Sequence, residues 1–214
     1  EAFIDPSDEN NPILFEDKLD FVTNGVKQQV VITAWGQNVD RLYSHSVTED
    51  THFTADRPYV VFDTLRVAEG ATLTLDAGTS LLFHDKAAMV VDGTLRALGT
   101  AEQPIDFRGD RLDKVVGGIG YDIMSGQWDG VRFTASSFGN EMRHVYMRGT
   151  KTGVIADSAG VEQRKLLLHN SVLHNSAGSV LTASHVWIDA LGSELSEAHY
   201  AVASLNGGRY SFVN

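Results

Sequence analysis

The 214-residue chain contains no cysteine, which excludes disulfides and thiolate metal sites. It contains no apolar run near the roughly 20 residues needed to span a bilayer, so no direct membrane insertion is expected in this segment. Prolines are scarce, four against twenty glycines, and turns must therefore be made chiefly by glycine. Net positive charge is also missing. A formal charge of −11 lacks the basic patch that nucleic acid or an anionic bilayer surface demands, and no nucleic-acid partner is expected. Helical spacing of apolar residues is absent from the centre of the chain as well. There is no Gly-rich phosphate loop, no G-x-S-x-G elbow and no H-E-x-x-H pair.

What is present is a rhythm. From Tyr59 to Phe107, β-type runs of four to six residues follow one another, each closed by a turn signal at Gly70, Gly78, Gly93 or Gly99. Within a run such as Thr72-Leu73-Thr74-Leu75, apolar and polar residues alternate, so one face is buried and the other wet. From Trp128 a longer period emerges. Val131, Val154, Val180 and Val202 recur at intervals of roughly 20 to 25 residues, and a second ladder, Val145, Leu168, Trp187 and Phe212, lies between them. Such interleaving predicts a solenoid with one coil per repeat. Residues 43–214 then make about seven or eight coils, and 109–127, which lacks alternation, is an insertion. Asn170 and Asn175 recur in two similar stretches, Leu168-His169-Asn170-Ser171 and Leu173-His174-Asn175-Ser176, and are expected to turn coil corners.

Residues 1–42 read differently. Two β-type runs flank Asn24-Gly25, the signal for a type I′ hairpin. They are expected to be a capping hairpin or the terminal strands of a sandwich-like domain. The opening at Glu1 and the mid-strand character of Phe212-Val213-Asn214 raise the expectation that the chain continues on both sides.

The pattern Leu65-x-Val67-x-x-Gly70-Ala71-Thr72-Leu73, then Val91-x-Gly93-x-Leu95-x-Ala97-x-Gly99-Thr100, then Pro104-Ile105-x-Phe107, resembles the first coils of right-handed parallel β-helix (pectate-lyase-like) proteins. It is most similar to surface lipoproteins of Bacteroidota type that carry an immunoglobulin-like domain ahead of the helix. The resemblance implies an all-β, right-handed parallel β-helix on the extracellular or outer-membrane surface, with a lipid anchor ahead of Glu1. It says little about activity, because this fold carries enzymes and binding proteins alike.

Two functions compete. The first is a non-catalytic recognition or scaffold module that binds a glycan or a partner protein along one wall. Its candidate binding residues are Asp110, Arg111 and Tyr121 in the insertion, with Arg143 beyond it. Tyr121 is the aromatic expected to be exposed, whereas Trp128 and Trp187 are expected in the core or at coil corners. The second is a lyase or hydrolase acting on an acidic polysaccharide. It would need Asp106 and Asp129 as a carboxylate pair, with Arg108 and Arg132 sharing a face with them. The same residues also fit ordinary outward-facing ion pairs. The scattered His45, His52, His169, His174, His185 and His199 match no ligand spacing, and no resident metal or cofactor is expected. Were acidic residues to gather a cation, Ca²⁺ is the one that their oxygens suit.

Overall fold

The computed structural model describes residues 12–114 and 118–214. Two compact units divide at Val39 and Asp40. The first is an antiparallel hairpin of two long strands, Ile13–Thr23 and Val26–Gly36. Thr23 pairs with Val26, and Asn24 and Gly25 both take positive φ, at 51° and 78°. These are the angles of a type I′ turn, whose twist matches that of the strands.

The second unit is a parallel β-solenoid. Among its described residues three sheets of seven strands each run side by side, and every coil contributes one strand to each sheet. Wall A holds Asp40–Tyr43, Tyr59–Phe62, Ser80–Phe83, Ile105–Gly109, Val145–Met147, Val172–Leu173 and Glu194–Leu195. Wall B holds Ser46–Val47, Thr64–Val67, Ala88–Val91, Gly130–Phe133, Val154–Ala156, Leu181–Ser184 and Ala203–Asn206. Wall C holds Thr51–Phe53, Thr72–Leu75, Thr94–Leu98, Asn140–Arg143, Gly160–His169, Val186–Leu191 and Arg209–Val213. The expected fold is therefore observed, with seven coils beginning at Asp40.

One detail of the expected ladders is corrected. Val145 belongs to wall A, while Leu168, Trp187 and Phe212 belong to wall C, so the second ladder merges two sheets. A coil of three strands has three faces, and a period read on one residue per coil does not separate them.

Inward residues stack in register. Leu65, Met89, Val131, Val154 and Leu181 form one column of wall B, all buried. Beside it run Val67, Val91, Phe133, Ala156 and Ala183, where the bulk of Phe133 is offset by the small Ala156 above it. Each fully buried Leu, Val or Phe contributes about 1.5–3 kcal/mol. Corners are turned by left-handed residues. His144, Asn170 and Gly192 take φ of 46°, 49° and 55° between walls C and A of successive coils. Asn175, at φ 56°, turns the corner between walls A and B. The two asparagines thus have the expected corner role but at different corners, so each stacks on other residue types.

A buried lysine sits at the corner between walls B and C. Lys165 is fully enclosed, and its Nζ donates to the carbonyls of Thr134 at 2.6 Å and Ser137 at 2.8 Å. Desolvation pushes its pKa down to about 8, partly opposed by Asp157. The unfolded chain keeps the ordinary value near 10.5, so between those values it binds a proton that the folded chain does not. Stability from this group therefore rises as pH goes from 8 towards 10.5, by on the order of 2–3 kcal/mol. Lys165→Met is expected to flatten that rise, and urea titrations of both proteins at pH 7.5 and 9.5 measure it. An equal slope in the two proteins would show that Lys165 does not carry it.

Candidate functional site: the cleft beneath the insertion

The insertion leaves wall A after Gly109 and rejoins the solenoid at Trp128. Several contacts fix it. The side-chain amide nitrogen of Gln127 donates to the carbonyls of Tyr121 at 3.0 Å and Met124 at 2.7 Å, which holds the short 3₁₀ turn Tyr121–Ile123. Asn175 Nδ2 donates to the Ile123 carbonyl at 2.7 Å. His84 Nδ1 lies 2.7 Å from the carboxylate of Asp110. Lys114 and Gly120 form an antiparallel bridge within the loop. Trp128 closes the insertion from inside, buried and stacked on Phe83 with ring centroids 3.9 Å apart. Gly109 has no room for a Cβ, which would meet the Gln127 amide oxygen at 2.1 Å.

The insertion and wall A enclose two adjoining cavities that share Arg111 and Tyr121. One, of about 250 Å³, is lined by His84, Asp85, Asp110, Arg111, Tyr121, Gly126 and Gln127. The other, of about 280 Å³, is lined by Arg108, Arg111, Leu112, Tyr121, Asp122 and Arg148. Between them the Arg111 guanidinium lies over the Tyr121 ring, 3.6 Å from its centroid, a cation–π arrangement. Arg111 also grips Asp113 through two nitrogens, with Nε to Oδ1 at 2.8 Å. That hydrogen bonding raises the guanidinium's pKa and lowers that of the Asp113 carboxyl.

On the wall side, Asp106 accepts from Arg108 Nε at 3.1 Å and from Arg148 Nη1 at 2.5 Å. Arg108 also donates to the Gly109 carbonyl at 3.1 Å. The two guanidinia are neighbours because Phe107 pairs with Met147 in the next coil, which places Arg148 beside Arg108.

The expected binding residues divide accordingly. Asp110, Arg111 and Tyr121 meet at this cleft. Arg143 does not: it lies on wall C, paired with Glu141, which also stands 3.8 Å from Arg96. Tyr121 is half-buried rather than exposed, because Arg111 covers its ring. Among the described residues of the loop, the exposed large apolar side chains are Ile119, Ile123 and Met124.

The residues of the enzyme reading separate. Asp106 and Arg108 are on wall A, Arg132 on wall B and Arg143 on wall C, so the three arginines share no face. Arg132 pairs with Asp157 at 2.9 Å, and Asp129 lies 3.8 Å from Lys151. Those two line a separate shallow hollow on wall B, with Val90 and Ile155. Trp128 is in the core, but Trp187 is not. Alternation turns Trp187 outward between buried Val186 and Ile188, with Arg209 over its ring and Asp189 accepting from Nε1 at 2.8 Å. Among the described residues no three His, Asp or Glu side chains gather as metal ligands. His52, His84 and His174 each meet a single carboxylate, as His174 does with Glu197 at 3.0 Å.

Sequence reasoning missed His84, Asp122, Gln127 and Arg148. The insertion hides Arg148 most effectively, because it stretches that coil so that Ile105 pairs with Val145. No family model, curated protein or solved structure matches the chain.

Proposed function

We propose that the chain is a non-catalytic recognition module of a secreted or outer-membrane-surface protein, and that it grips a glycan in the cleft beneath the insertion. The observation that carries this reading is the Arg111–Tyr121 stack, held over a cleft whose wall side offers Arg108 and Arg148. Glycans are bound by planar polar side chains that stay fixed while the ligand enters, since preorganisation spares ordering entropy. Here a solenoid wall fixes one side, and hydrogen bonds from Gln127 and Asn175 fix the other. The scatter of Asp106 and Asp129 over different elements supports binding over glycoside hydrolysis, which needs two carboxylates across one sugar ring. Surface location rests on the β-helix lipoprotein resemblance, and with it the lipid anchor.

Calorimetric titration with a panel of oligosaccharides tests the reading. Tyr121→Ala should weaken binding at least tenfold, about 1.4 kcal/mol, by removing the platform under Arg111. Binding that ignores this change would move the site elsewhere. Capture of a protein partner in place of any glycan would change the ligand class, and shortened polysaccharide products would reinstate the enzyme.

A further inference from the structure

Both strands of the hairpin are exposed along nearly their whole length, and its two faces differ. The observed register puts Phe15, Leu19, Phe21, Val26, Val30 and Ile32 on one face, each at least 38% exposed. The other face is mixed. Charged Glu16, Lys18, Asp20 and Lys27 stand between its apolar residues, and Asp20 accepts from Lys27 at 2.9 Å and from Gln29 at 2.9 Å. Among the described residues this sheet has two strands only, and such a ribbon is marginal in water unless its apolar face is covered.

Two polar side chains on the apolar face decide what covers it. Asp17 lies in the row paired with Ile32, and Gln28 in the row paired with Phe21, one row to either side of Leu19 and Val30. A two-fold axis between two copies, perpendicular to the strands and through the Leu19–Val30 row, sets each Asp17 against Gln28 of the other copy. The amide donates to the carboxylate, so neither polar group is buried alone. Strands running the same way would instead put both Asp17 carboxylates in one row, where like charges repel. Strands of 11 residues give a face about 35 Å long and about 10 Å wide. Two such faces bury on the order of 1,000 Å², the lower limit of a specific interface. We infer that the chain dimerises through this hairpin, two copies stacking their apolar faces antiparallel as a four-stranded sandwich with sheets about 10 Å apart. The dimer presents two solenoids on one particle, and two sites hold a repeating surface more tightly than one.

Sedimentation velocity of the whole chain across a dilution series tests this, and should show a dimer that dissociates on dilution. Leu19→Glu, on the two-fold, should leave a monomer at every concentration, and Val22→Glu, on the other face, should leave the dimer intact. Gln28 gives the sharper comparison, because both of its variants keep a polar side chain at an exposed position. Gln28→Glu sets like charges against Asp17 of the other copy and should weaken association by about tenfold or more, whereas Gln28→Lys should tighten it. Unchanged circular dichroism shows that the solenoid persists in each variant. A monomer at every concentration overturns the inference and leaves the face to another protein's sheet. A dimer that Val22→Glu breaks as readily as Leu19→Glu also overturns it, and so does equal association of Gln28→Glu and Gln28→Lys.

Discussion

Trp128→Ala is expected to lower the unfolding free energy by about 3–5 kcal/mol, among the largest single-residue losses in the chain. The side chain is 1% exposed and lies flat on Phe83, with 4° between the rings. Phe83 belongs to the coil below and is in register with Gly109, whose missing side chain leaves the space that the neighbouring Gln127 side chain takes. On its other side Trp128 Nε1 donates to the Arg148 carbonyl at 2.9 Å, in the coil above. One side chain therefore ties three coils together where the insertion interrupts them. Trp128→Phe separates the contributions. It keeps the ring contact and loses the hydrogen bond, so it should cost nearer the 1–3 kcal/mol of a carbonyl left unpaired. Urea unfolding followed by far-ultraviolet circular dichroism gives both numbers. A loss under 1 kcal/mol for the alanine variant would mean that the coils do not depend on this junction.

The same junction connects stability to the cleft. Arg148 offers its carbonyl to Trp128 and its guanidinium to Asp106. Loosening Trp128 should thus displace the wall side of the cleft while the Arg111–Tyr121 side stays tied to Gln127 and Asn175.

Much of this architecture was legible in the sequence because a solenoid repeats a local rule. Alternation in Thr72–Leu75 and Thr94–Leu98, with glycines between, gives strands whose buried faces are set by parity alone. Asn24-Gly25 gave its turn for the same local reason. Which wall a residue joins is not local. Arg108, Arg132 and Arg143 look equivalent along the chain, yet their strands fall on three different walls. Lys165 was hidden by a break in parity. Register shifts between Gly160 and Arg164, and again between Arg164 and Leu166, turn this lysine inward beside Leu166. Trp187 was misplaced for the opposite reason. Its neighbours Val186 and Ile188 fix its parity as outward, and an expectation about tryptophan overrode that pattern. The cleft was half legible. Asp110, Arg111 and Tyr121 share the insertion, whereas Arg148 reaches it only through the pairing of Phe107 with Met147.

Gly153→Ala should be the most disruptive of the small changes, at about 3 kcal/mol or more. Gly153 takes φ of 66°, and a Cβ there would meet the carbonyl oxygens of Val180 at 2.2 Å and Ser179 at 2.3 Å. Those atoms are backbone, and Val180's carbonyl accepts the Val154 N–H at 2.8 Å, so they have no freedom to retreat. The Gly153 carbonyl in turn sits where a Cβ on Gly130 would fall, 2.2 Å away, which makes the two glycines consecutive points of close coil approach. Gly139→Ala provides the comparison. Its φ is 68°, but a Cβ there meets nothing within 4 Å, so it should cost only the left-handed penalty of about 1–2 kcal/mol. Solenoid coils are coupled chiefly to their neighbours, and damage at Gly153 should spread in that order. The amides of Val154 and Leu181 should exchange with solvent well before those of Leu73 and Leu95. If Gly139→Ala and Gly153→Ala cost the same, the left-handed backbone alone sets the penalty and the close approach of the coils does not contribute. A larger loss at Gly153, with exchange spreading outward from its own coil, would show that bare backbone contact sets the spacing of the stack on wall B.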